Sequence, residues 1–242
     1  MKWLICVLFS IFCQFCQALP LNIYVSYEDN VLKEYIHHFT DYLKSNGIFE
    51  KYHIEPFIDR FPLHTTLYLA DFESNHIADV TKIMTRVTAN WHPFTIATAK
   101  IYITEGNYVM LDVDYQIQSN GLNPIIQNYS DEMVLAVHDL RNQNAPIPDW
   151  AKNYPSKQRA YQRYGSPNVF FELSPHFTLM AKKFKDSKTA QAFHDDVALL
   201  IQQYEQNNLE TPIHLTAAHI GLGYVNEYGQ ITKEIERFGF GK

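Results

Sequence analysis

The chain has 242 residues, 46% apolar and 19% charged, which is enough apolar sequence for a full core and too much for a disordered chain. This length allows one domain or two small lobes, because single cores stop growing at roughly 250–300 residues. The formal net charge of −6 argues against a protein that coats the phosphates of long duplexes, so duplex DNA is not an expected partner. A small anionic ligand held by a few placed donors stays open.

Lys2 precedes an apolar run over residues 3–13, followed by Cys16, Gln17, Ala18, Leu19 and Pro20. A basic start, an apolar stretch shorter than a membrane span and small residues before the cut read as a secretory signal over residues 1–18, cleaved after Ala18. The alternative is an uncleaved N-terminal anchor. Cys6, Cys13 and Cys16 all fall in this segment, so the mature chain 19–242 has no thiol, and packing alone must hold the fold. No later segment is apolar for long enough to cross a bilayer. The expectation is a secreted or periplasmic monomer without membrane contact after cleavage. Asn128, Tyr129 and Ser130 match a glycosylation acceptor.

In chain order, residues 21–26 read as a strand and 30–45 as an amphipathic helix with Val31, Leu32, Tyr35, Ile36, Phe39 and Leu43 at helical spacing. Residues 61–69 read as a strand, 75–89 as a helix, 94–104 and 108–115 as strands joined by a turn at 105–107. A helix is read over 130–142, a loop over the prolines at 146 and 148, and a short helix over 156–164. The earlier order then returns: a strand at 173–180, a helix at 187–206, and strands at 213–224 and 230–238.

The two strand-helix-strand-strand units overlay with little gap. Residues 93–103 match 212–222 in their leading proline and alternation, and Pro62, Leu63 and His64 match Pro175 and His176. The domain reading is a single two-lobed unit over 19–242, with a first repeat at about 60–116, a connector at about 117–170 and a second repeat at about 171–242. The fold class expected is α+β, a duplicated two-lobed fold. Each lobe is a mostly antiparallel sheet backed by helices, with the active-site cleft between lobes.

Each repeat carries His-x-Thr and then an apolar residue on its first strand: His64, Thr65, Thr66, Leu67 and His176, Phe177, Thr178, Leu179. Residues i and i+2 of a strand share a face, so each histidine stands beside its threonine. Two such pairs around one volume suit displacement at phosphorus. One imidazole takes a proton from the nucleophile and the other gives one to the leaving oxygen. The hydroxyls can hold the non-bridging oxygens.

On these motifs the chain resembles the two-histidine phosphoesterase superfamily, which includes 2′-5′ RNA ligase-like proteins and RNA 2′,3′-cyclic phosphodiesterases. Both motifs are complete and the resemblance covers most of residues 20–240; the long connector reads as an insertion. The resemblance implies His64 and His176 as the acid–base pair, with their order open, and Thr66 and Thr178 as phosphate-binding hydroxyls. It implies a small nucleotide or a short RNA end as substrate, cut at a 2′,3′-cyclic phosphate or a 2′-5′ link, and no cofactor. Two alternatives stand beside it: a nucleotide-binding module on the same fold without turnover, and an exported interaction protein.

Other features are weaker. His214, Leu215 and Thr216 make a third copy of the motif, but in the slot of Thr95, Ile96 and Ala97 of the first repeat, so it reads as structural. His219 falls opposite Lys100 in the overlay and reads as an exposed polar position. Tyr68, two residues after Thr66, is expected on the motif face, where it could stack on a base. Tyr154, Arg159, Tyr161, Arg163 and Tyr164 could form a lid. No metal is expected: the sequence has no His-Glu-x-x-His, no acidic calcium loop and no cysteine after residue 16.

Overall fold

The structure is a computed structural model that describes residues 18–114, 125–208 and 212–241. Of the signal expected over residues 1–18, all but Ala18 lies outside the described residues. Among the described residues eight strands, β1 (Ala18–Ser26), β2 (His64–Glu73), β3 (Thr95–Ile103), β4 (Tyr108–Asp114), β5 (His176–Ala181), β6 (His214–Thr216), β7 (His219–Val225) and β8 (Ile231–Phe238), form two four-stranded sheets. The helices are α1 (Asn30–Ser45), α2 (Ile48–Tyr52), α3 (Ile77–Thr88), α4 (Ile125–Val137), α5 (Pro155–Tyr164) and α6 (Ser187–Asn207). Each pairing between these strands is antiparallel, and the architecture is the two-lobed α+β fold expected.

Local chemistry sets the element ends. Asp29 caps α1 by accepting from the Leu32 amide at 2.8 Å, and Asp186 caps α6 through the Thr189 amide at the same distance. α5 starts on Pro155 and stops at Gly165, whose φ of +73° a side chain would resist. Alternation does the rest: Leu21, Ile23 and Val25 of β1 enter the core, leaving Asn22, Tyr24 and Ser26 to the other face. α4 covers the core face of the first sheet, where the Ser130 hydroxyl donates to the Leu67 carbonyl at 2.7 Å. Ser130 is therefore buried inside a helix, and the glycosylation acceptor is closed. α1 and α6 lie together on the other lobe, with Phe39 edge-on to Tyr204. Among the described residues no helix is long and apolar enough to cross a membrane.

The sheet orders are β2-β1-β7-β8 and β5-β4-β3-β6, and they do not follow the two sequence repeats. In each sheet the motif strand is at the edge and the strand preceding it in the chain is next. The third place is filled by a strand that lies beyond the other motif's helix, β7 in the first sheet and β3 in the second. The stretch 213–224 is thus not one strand but two. The Ala217 amide donates to Phe94 in one lobe and the next amide, Ala218, to Ser26 in the other. The chain changes sheets between two small residues, and the buried apolar positions shift phase there, from Leu215 to Ile220 and Leu222.

Candidate active site

The two motif strands meet where the sheets meet. His64 and Thr178, one from each motif, line a common pocket with Gln230, and the His176 imidazole is close enough to act electrostatically on His64. His64 is buried and His176 half-buried. The rings are held alike: Nδ1 of His64 donates to the Pro62 carbonyl at 2.9 Å, and Nδ1 of His176 donates to the Ser174 carbonyl at 2.7 Å. A carbonyl only accepts, so both Nδ1 atoms carry the hydrogen, and in the neutral ring Nε2 is the nitrogen with the lone pair.

Neighbours distinguish the two imidazoles. Burial pushes His64 down to about 4, the facing His176 pushes the same way, and the carbonyls of Pro62 and Gly229 only partly offset them. Burial also lowers His176, but there the Ser174 carbonyl and the Asp112 carboxylate pull back upward. Register explains the difference: the cross-strand partner of His64 is Ser26, and that of His176 is Asp112. Thr66 accepts from Asn22 Nδ2 at 2.8 Å, which leaves its own hydrogen free to donate. Thr178 stands beside Met110 of β4.

Tyr68 is not on this face. The β1–β2 register shifts between Ile23 and Tyr24, so Thr66 pairs with Tyr24 while Tyr68 pairs with Ile23. The extra residue of this bulge turns Tyr68 into the core, fully buried, with its hydroxyl bonded to the Tyr164 carbonyl. It cannot stack on a base. Of the residues suggested for a lid, Tyr161 donates its hydroxyl to the Pro146 carbonyl, and Tyr164 packs on Phe170 and His138.

No family model matches the chain, and no curated protein matches it in sequence. Among solved structures, TT0787 of Thermus thermophilus superposes with a TM-score of 0.53 at 11% identity, over 91% of this chain and 97% of that one. The chain has the TT0787 fold. Apo LigT of E. coli is also similar, with a TM-score of 0.48 and 12% identity over 93% of this chain and 99% of that one. Usb1 of Kluyveromyces marxianus gives 0.45 and 11% over 85% and 93%.

On the TT0787 fold of this chain, the motif face also carries residues that the sequence reading passed over. Asn22 and Tyr24 are buried there, and the Tyr24 ring stands edge-on to His64, centroids 5.5 Å apart. His219, read as exposed, is 6% exposed, because Ser26 pairs with it on one side and with His64 on the other. The alternation of Asn22, Tyr24 and Ser26 with apolar neighbours was the available signal. His214 is exposed on β6, paired with Ala97, and separated from β5 by two strands.

Proposed function

We propose that the chain is a metal-independent phosphodiesterase acting on a 2′,3′-cyclic phosphate or a 2′-5′-linked nucleotide, with His64 as base and His176 as acid. The observation that carries this is the matched pair of imidazoles on two meeting edge strands, each with Nδ1 bonded to the carbonyl two residues before it and each followed by a threonine on its own strand. The order of roles is supported by the neighbours: His64 is held neutral, and Asp112 favours the protonated form of His176.

In the reaction, Nε2 of neutral His64 takes a proton from water as its oxygen bonds to phosphorus. The bond from phosphorus to the ribose oxygen breaks, and that oxygen receives the Nε2 proton of His176. Thr66 and Thr178 donate to the non-bridging oxygens, which bear the developing charge. The test is incubation with 2′,3′-cyclic mononucleotides, 3′,5′-cyclic mononucleotides and 2′-5′ dinucleotides, with product identification. A monoester from the first or last group is expected. Tight binding without product would replace the enzyme by a binding module. Export through residues 1–18 belongs to the same proposal, and N-terminal sequencing of the protein recovered from cells checks the cut after Ala18.

A further inference from the structure

We propose that the cavity beside His64 is a nucleobase subsite that favours guanine, an inference that rests on the nucleotide reading of the two-histidine site. The cavity, about 230 Å³, is lined by Tyr24, Ser26, Glu28, Lys33, Glu234 and Arg237, with His219 beneath. It is smaller than the roughly 300–1,000 Å³ of drug-sized sites, which suits one ring system. Its place is set by Ser26, which lines it and is also the cross-strand partner of His64. A phosphate at the imidazoles thus has this cavity about one strand spacing, roughly 4.8 Å, to its side.

The charges choose the ligand. Glu28 and Glu234 are balanced by Lys33 and Arg237, so the cavity has no net pull on a second anion and fits a neutral polar ring. Glu234 is already committed: it accepts from the Tyr24 hydroxyl at 2.7 Å and from Arg237 Nε at 3.1 Å. Glu28 stands 3.6 Å from Arg237 and 3.9 Å from His219, and neither distance is a hydrogen bond. Its carboxylate, two-thirds exposed, can therefore turn both oxygens to a ligand, with the Arg237 guanidinium beside it. A carboxylate that accepts two parallel N–H groups next to a cationic donor complements N1–H, N2–H and O6 of guanine. Adenine and cytosine each offer one amino group beside an acceptor, and uracil one N–H between two acceptors; none satisfies both carboxylate oxygens. Tyr24 adds an aromatic wall, fixed because its ring lies over Gly221 and its hydroxyl on Glu234.

The test uses the full chain. Calorimetric binding of guanosine, adenosine, cytidine and uridine 3′-monophosphates is measured alongside kcat/KM for the four 2′,3′-cyclic nucleotides. Guanosine 3′-monophosphate is expected to bind about tenfold tighter than the others, in line with the worth of a good bidentate base contact. Glu28→Gln and Arg237→Gln should each bring the four toward parity. Equal affinities in the wild type, or a guanine preference that survives both substitutions, would overturn the subsite. Turnover of all four without preference removes the subsite and leaves the phosphodiesterase reading. A guanine preference in binding with no turnover keeps the subsite and removes hydrolysis.

Discussion

His64 and His176 are pinned the same way, yet Ser26 faces one and Asp112 the other, and the pH behaviour should follow that difference. Asp112→Asn is expected to move the alkaline limb of the pH–rate curve to lower pH, because the protonated form of His176 loses a supporting charge; an unmoved limb would reverse the assignment of roles. His64→Ala and His176→Ala should each lower kcat by roughly 10²–10⁴-fold with melting nearly unchanged, while His214→Ala stays near wild type. Equal losses in all three would mean that the repeat picks the wrong histidines. His64 also affects stability. Its folded value of about 4 lies below the ordinary 6.5, so the unfolded chain binds the proton first as pH falls. Stability is then full above 6.5, falls toward pH 4 and levels below, by about 3 kcal/mol at most. Urea midpoints at pH 7 and pH 4.5 should differ less in His64→Gln than in the wild type. The four motif residues were legible because they recur at matching places in a repeat. Tyr68 and His219 were misplaced because period-2 counting cannot see a bulge or a change of sheet, and Asp112 was missed because it is far in sequence from His176, its cross-strand partner.

At the scale of elements, β7 is the strand that shapes the motif face. It offers Gly221 where β1 offers Tyr24, and a Cβ at Gly221 would come within 2.2 Å of the Tyr24 ring. Gly221→Ala should therefore cost about 1–3 kcal/mol and lower turnover by tilting Tyr24 away from His64. At Gly239 a Cβ meets nothing within 4 Å, and Gly239→Ala serves as the control in paired melting curves and rate measurements. Most helices and strands were readable from periodicity and caps, as α6 over Ser187–Asn207 shows against a reading of 187–206. β6 and β7 were not. Alternation predicts a strand but not its partner, and the pairing of 214–216 with β3 and of 219–225 with β1 is decided by two amides, Ala217 and Ala218, that bond to different lobes.

For the molecule as a whole, each sheet is assembled from both halves of the sequence: β7 and β8 complete the sheet of β1 and β2, and β3 completes that of β4 and β5. Unfolding by heat or urea should then be one transition, coincident by far-UV dichroism and tyrosine fluorescence, because neither lobe can lose a sheet strand alone. Two separated transitions would show that the lobes are independent. Turnover is expected to persist in chelator, since the two imidazoles and hydroxyls account for every proton and charge in the proposed step; dependence on added metal would remove that mechanism. The exchange of strands reaches further than stability. His219 and Arg237, carried by the C-terminal half, line the same cavity as Ser26, the cross-strand partner of His64, so the surroundings of the first imidazole are built by both halves of the chain. A substitution in the C-terminal half can therefore alter the setting of an imidazole that the N-terminal half supplies.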